Sequence, residues 1–344
     1  MRAIRVALGH DIGKAESVPG IGRLSAAERA RLSFRALGEA SPMRTLDLAE
    51  ADILITTPGV AAIKAESLPR NGPLVAILRT GVGYNDVDAD ALTAADAALV
   101  IPPETVRRPT AVAALTLILA TTTWLIHKHH ITIEGPKRWS ELARYKGTSL
   151  TGKTVGIVGL GNVGAELARL LKPLEPKLIA HDPFVDSKRA GELGIELVEL
   201  DDLMRRSDVV SLNLMLDAKT RHVIDARRLG LMKPTAFLIN AARGPVVDQK
   251  ALTEALKARR IAGAGLDVLD DEPARADDPI LKLDNVTFSA HALNWTDEYT
   301  SILERNMADM LKALLTGRVP YKVANAAVLE RGGFKSKLAA LAAR

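Results

Sequence analysis

The sequence predicts an α/β protein built from two doubly wound domains, one inserted into the other. Three observations carry this reading. The chain has 344 residues, more than one hydrophobic core usually serves. Short apolar runs alternate with helical or turn material along most of its length, the pattern of buried parallel strands. At Thr154–Gly164 the stretch TVGIVGLGNVG places three glycines directly after such a run. Glycine costs backbone entropy, so three of them close together need a reason.

In chain order, the first domain opens on the strand IRVAL (Ile4–Leu8), too short for a secretory signal. DILIT (Asp52–Thr56), LVAIL (Leu74–Leu78) and AALVI (Ala97–Ile101) follow as strands, ending in TPG, RTGVGYN and PPE. Function is expected where parallel strands end. AVAALTLILATTTWLI (Ala111–Ile126) carries no charge over 16 residues. A membrane span needs about 20 apolar residues, so this shorter, Thr-rich stretch reads as a buried crossover helix. A second series of strands then begins: TVGIV, KLIAHD (Lys177–Asp182), DVVSLN (Asp208–Asn213), AFLIN (Ala236–Asn240), AGAGLDV (Ala262–Val268) and NVTFS (Asn285–Ser289). Between them, VGAELARLLKPL sets Val163, Leu167, Leu170, Leu171 and Leu174 on one helical face. A last helix is expected over TDEYTSILERNMADMLKALLTG, stopped by Gly317 and Pro320. The expected boundaries are 1–107 and 297–330 for the outer domain, 108–296 for the inserted one and 331–344 for a surface tail.

Composition narrows the chemistry. With no cysteine, disulfides, thiolate nucleophiles and Cys-based metal sites are excluded, and a reducing compartment fits. Lys+Arg number 46 against Asp+Glu 41. That excess is small and scattered, so neither a nucleic-acid nor a membrane partner is expected. The run His127, Lys128, His129, His130 mimics a metal site, but adjacent helical residues point to different faces. No metal is expected.

The glycines have a use. Strand, GLGNVG, then an amphipathic helix is the context of the Rossmann dinucleotide fingerprint. Gly159 permits the tight turn, Gly161 lets backbone approach a pyrophosphate, and Gly164 lets helix and strand come close. The helix N-terminus offers amides and partial positive charge to the phosphates. Asp182 closes the next strand 18 residues after Gly164. Its carboxylate suits both ribose hydroxyls of an adenosine and repels a 2′-phosphate, favouring NAD over NADP. Lys188 and Arg189 nearby pull the other way.

Three residues at strand ends have types suited to catalysis. Arg243 follows AFLIN and offers a rigid donor fork for a carboxylate. Glu272 follows AGAGLDV, and His291 follows NVTFS. A carboxylate beside an imidazole fixes its tautomer and stabilises the imidazolium. Such a pair can give a proton to a carbonyl oxygen while a nicotinamide delivers hydride to the carbon, or run the reverse.

With those residues in view, the chain resembles the D-2-hydroxyacid dehydrogenase family. RTGVGYNDVD (Arg79–Asp88), GIVGLGNVG, SDVVSLNLML, LMKPTAFLINAARGPVVDQKALTEALKARRIAGAGLDVLDDEP and DNVTFSAH match its signatures in order. The resemblance implies two Rossmann-like domains, the nucleotide-binding one inserted into a smaller flavodoxin-like substrate domain. It implies NAD as cofactor, held by Gly159, Gly161, Asn162, Val163, Gly164, Asp182, Asn213, Ala241, Arg243 and Asp267, with Asp267 near the carboxamide. It implies Arg243, Glu272 and His291 as the catalytic set. Arg79, Val82, Gly83, Arg243 and Trp295 would bind a 2-hydroxy or 2-keto acid. Trp295 could instead pack the interface between the two expected domains. A cytoplasmic homodimer joined through the nucleotide domain is implied too. Glu272, where formate dehydrogenases usually carry Gln, argues against formate. The chain departs from the family at Asn213–Met215, where members commonly read His–x–Pro, and at Ser289–His291, where Pro–His is usual. The alternative reading is a non-catalytic, NAD(H)-sensing interaction protein of the same fold.

Overall fold

The computed structural model describes residues 3–344, so the first two residues of the expected outer domain lie outside it. The chain divides into two compact units. One comprises the residues up to Val106 together with Thr296–Arg344, and the other is Arg107–Trp295.

The first unit is built on five parallel strands: β1 (Ile4–Leu8), β2 (Leu32–Ala36), β3 (Ile53–Thr56), β4 (Ala76–Arg79) and β5 (Ala98–Val100), in the order β2-β1-β3-β4-β5. That is the flavodoxin order. Alternate residues face opposite sides, and both sides are covered. Ile4, Val6, Leu8, Ile53, Ile55 and Leu78 enter one core, while Ala7, Leu54, Ile77 and Leu99 enter the other. Burial on both faces is why these strands read as unbroken apolar runs. Helix Asp297–Leu315, capped by the Thr296 hydroxyl at the Tyr299 amide (3.2 Å), adds Met307, Leu311 and Leu314 to the first core.

The expected surface tail at 331–344 is corrected. Gly332–Ala342 is a helix that buries Phe334, Leu338 and Leu341 in the same core. Its polar residues on the remaining face make it look loop-like in sequence.

The second unit carries seven parallel strands: β6 (Thr154–Val158), β7 (Lys177–His181), β8 (Glu196–Leu197), β9 (Val209–Leu212), β10 (Phe237–Asn240), β11 (Gly263–Leu266) and β12 (Val286–Phe288), in the order β12-β11-β10-β9-β6-β7-β8. Its direction of growth reverses between β6 and β9, the switch point at which such sheets bind ligands. Val158, Val210, Leu212 and Leu238 face one core, and Val155, Ile157, Val209 and Ile239 the other.

The uncharged stretch is not one buried helix. Helix Pro103–Thr122 gives way to a turn at Trp124, whose backbone is left-handed (φ 56°), and helix Leu125–Glu134 leaves at 57°. Ala111, Ala114, Leu117 and Ile118 are buried, but Leu125 and Ile126 are exposed. No single helix among the described residues is long and apolar enough to cross a membrane. His127 stacks on Tyr145 (centroids 4.7 Å apart) and meets Trp124 edge-on. Burial lowers the pKa of its imidazole, so that side chain belongs to an aromatic cluster.

Candidate active site

The glycine turn starts where β6 ends. Gly159 has φ 91°, and a Cβ there would lie 2.7 Å from the Asn213 carbonyl oxygen, so the turn and the end of β9 approach as only glycine allows. A Cβ on Gly164 would overlap the Gly159 carbonyl, which makes this glycine a packing requirement. Gly161 is different, because a Cβ there would meet nothing within 4 Å. It is the N-cap of helix Asn162–Leu171, and no side chain caps that helix. The three glycines therefore serve two folding needs and leave one open face beside uncapped amides.

Asp182 follows β7. Its Oδ2 accepts from the Leu160 amide (2.8 Å) and its Oδ1 from the Phe184 amide (2.9 Å). The carboxylate is thereby fixed beside the glycine turn, with lone pairs left for further donors. Asn213 donates through its side-chain amide to the Ser211 carbonyl at 3.0 Å.

β10, β11 and β12 are neighbours, and their carboxyl ends carry Arg243, Glu272 and His291. The first loop is bracketed by Asn240, which is almost wholly buried. Its Oδ1 accepts from the Ala242 amide (3.0 Å) and its Nδ2 donates to the Arg243 carbonyl (3.0 Å). Gly244 then presses against the Leu269–Asp270 peptide so closely that a Cβ would overlap the Leu269 carbonyl. That contact brings the loop after β11 against the loop that carries Arg243. Glu272 completes the loop by accepting the Leu269 amide on Oε1 (3.0 Å).

The other Glu272 oxygen lies 2.6 Å from His291 Nδ1. Burial on its own would raise the Glu272 pKa. The His291 hydrogen bond, the Leu269 amide and the charges of His291 and Arg243 outweigh it and hold the carboxyl below its ordinary value. An ionised Glu272 makes Nδ1 the protonated nitrogen and leaves Nε2, which has no partner among the described residues, to exchange a proton. His291 itself has a left-handed backbone (φ 52°), uncommon for a residue with a side chain. The conformation is held by its amide donating to the Asp267 carbonyl (2.7 Å). Asp267 is buried and accepts the Ser289 hydroxyl at 2.7 Å. Trp295 is 75% exposed, so its ring belongs to no core.

In the other unit, the loop after β4 carries Val82 and Gly83. Among the described residues their amides donate to no protein acceptor. Arg79 is corrected. It is fully buried, and its Nη2 donates to both Asp86 oxygens (2.8 Å each) and to the Gly83 carbonyl (3.3 Å). Asp86 also accepts the Gly59 amide at 3.0 Å. Through Nη2, Arg79 shapes the loop from within, while its buried Nε and Nη1 have no partner among the described residues.

Comparison with known proteins fixes the family. A model of the D-isomer specific 2-hydroxyacid dehydrogenase NAD binding domain matches residues 115–292. A glyoxylate reductase of Korarchaeum cryptofilum is 36% identical over 80% of this chain and 82% of its own. The chain belongs to the D-isomer specific 2-hydroxyacid dehydrogenase family. A D-3-phosphoglycerate dehydrogenase of Methanocaldococcus jannaschii is 33% identical over 80% of this chain, which spans only 52% of that relative. The holo form of Rhodotorula graminis D-mandelate dehydrogenase superposes with a TM-score of 0.82 at 26% identity, covering 94% of this chain and 98% of that one.

The family's NAD-binding domain is thus present, and its residues fit the dinucleotide. The open face at Gly161 and the uncapped amides suit a pyrophosphate, and Asp182 suits a ribose diol. Sequence reasoning missed Asn240 and Ser289, which touch the site only through other residues. An Asn closing a strand ahead of a short turn was the available signal for the first.

Proposed function

We propose that this family member interconverts a D-2-hydroxy acid and its 2-keto acid with NAD, and that Arg243, Glu272 and His291 do the chemistry. The observation that carries the reading is the 2.6 Å His291–Glu272 contact on a strand end next to that of Arg243. When bound, the nicotinamide supplies or accepts the hydride. In the reductive direction His291 gives its Nε2 proton to the nascent alkoxide, and in the oxidative direction it takes the hydroxyl proton. Glu272 holds the ring's tautomer and balances the imidazolium charge. Arg243 grips the acid's carboxylate and polarises the carbonyl. The free amides of Val82 and Gly83 are assigned to the substrate carboxylate, and the exposed Trp295 to the substrate wall. Asn162, Val163, Asn213, Ala241 and Asp267 are assigned to the cofactor.

A cytoplasmic homodimer completes the proposal. The exposed Leu125, Ile126, Ile133 and Trp139 of the second unit offer an apolar face for a second copy, and light scattering on the purified chain tests it. Oxidation of NADH and NADPH across a panel of 2-keto acids tests the activity. Turnover with NADH on at least one acid is expected. Tight NADH binding with no turnover on any would favour the non-catalytic, NAD(H)-sensing reading.

A further inference from the structure

We infer that Asp11 determines specificity in this reaction, selecting 2-keto acids with an uncharged far end over those ending in phosphate or a second carboxylate. The inference rests on the proposed activity and concerns which acids it accepts.

β1, β3 and β4 lie side by side, and Asp11, Thr57 and Thr80 follow their carboxyl ends. Thr80 Oγ1 donates to Thr57 Oγ1 at 3.0 Å, and Thr57 Oγ1 donates to Asp11 Oδ2. Asp11 is exposed. An ionised carboxylate only accepts, so it sets the direction of both hydroxyl protons. Each threonine has one proton, and each proton is already directed toward Asp11. What Thr57, Thr80 and Asp11 show a ligand is therefore a carboxylate and oxygen lone pairs. Thr80 is followed directly by the loop bearing the free Val82 and Gly83 amides, and the loop after β3 meets it again where Pro58 lies against Gly81.

Among the described residues, no basic side chain hydrogen-bonds to the Asp11–Thr57–Thr80 chain. Arg79 is fully buried against Asp86. His10 and Lys14, the nearest basic residues in sequence, make no hydrogen bond to the Asp11–Thr57–Thr80 chain. A substrate seated by its carboxylate on the two amides and carrying a second anionic group would set like charges close together beside Asp11. Repulsion between unit charges about 4 Å apart in water is about 1 kcal/mol, several-fold in affinity.

The test is kcat/KM with NADH for glyoxylate, hydroxypyruvate, 3-phosphohydroxypyruvate and oxaloacetate, on the wild type and on Asp11→Asn. The wild type is expected to favour the two monoanions. Asp11→Asn keeps an acceptor for Thr57 and should raise the kcat/KM ratios of oxaloacetate and of the more highly charged 3-phosphohydroxypyruvate to glyoxylate about three- to tenfold, chiefly through KM. Should the variant fold poorly, the wild type carries the test alone, because added salt should narrow its discrimination. A wild-type preference for 3-phosphohydroxypyruvate, a ratio unmoved by Asp11→Asn, or equal losses on all four acids would overturn the inference while leaving the activity standing. Wild-type inactivity toward all four, with turnover of another 2-keto acid, would overturn the inference alone, and inactivity across the whole panel would remove the proposed function as well.

Discussion

Glu272 and Asn240 show how differently single residues contribute to one site. Glu272 accepts from His291 directly, and its pKa is held low against the opposing effect of burial. Replacing it by Gln removes the charge that balances the imidazolium. Keto-acid reduction needs the protonated ring, so the alkaline limb of the reductive pH profile should move to lower pH, with NADH affinity unchanged. An unmoved profile would deny the pair its role. Asn240 acts through the backbone on either side of Arg243. Misplacing a catalytic group by about 1 Å can cost about a hundredfold in rate. Asn240→Ala should therefore lower turnover about ten- to a hundredfold while NADH binding persists, and wild-type kinetics would show the bracket to be dispensable. The nearness of Glu272 to His291 was legible in the sequence because each follows a recognisable strand end. Asn240 and the burial of Arg79 were not, since both depend on partners set by packing. No composition rule separates an arginine facing a substrate from one sealed against Asp86.

At the scale of elements, the fingerprint glycines divide into structural and ligand-facing ones. Gly164→Ala places a methyl inside the Gly159 carbonyl, so it should lower the melting temperature clearly. Gly161→Ala meets open space at a φ of −70°, and should leave the melting temperature nearly unchanged while weakening NADH binding. Calorimetry of both variants, with and without NADH, checks this. Equal thermal losses would refute the division. Legibility followed the same physics. Strands buried on both faces, such as β3 and β10, announce themselves as apolar runs. β2, with only Leu32 buried, and the two-residue β8 lie at sheet edges, where polar residues are tolerated, and sequence reasoning passed over both. The break at Trp124 escaped it too, because a left-handed residue there has no glycine to mark it.

At the scale of the whole molecule, the first unit gathers distant parts of the chain around one buried carboxylate. Asp52 receives the Arg5 amide (2.9 Å), the Arg5 guanidinium (3.1 Å) and the Arg344 guanidinium (2.9 Å). Burial would raise its pKa, but the Arg5 hydrogen bonds and the charges of Arg5 and Arg344 prevail and hold it below the ordinary carboxylate value. A pKa lowered by folding adds stability above the unfolded value and loses it as pH falls through the folded one. Asp52→Ala should therefore cost about 3–5 kcal/mol near neutrality, and the gap from wild type should shrink as pH falls below the ordinary carboxylate value. Thermal unfolding across that range checks it, and a gap independent of pH would be inconsistent.

The central claim is that His291 moves the proton in a reaction driven by NAD. The most direct measurement pairs two numbers for His291→Asn and wild type: the dissociation constant for NADH, and kcat with the best 2-keto acid. The account predicts nearly equal affinities and a kcat lower by about 10²–10⁴-fold. A variant that binds NADH normally and turns over within a few-fold of wild type would contradict it.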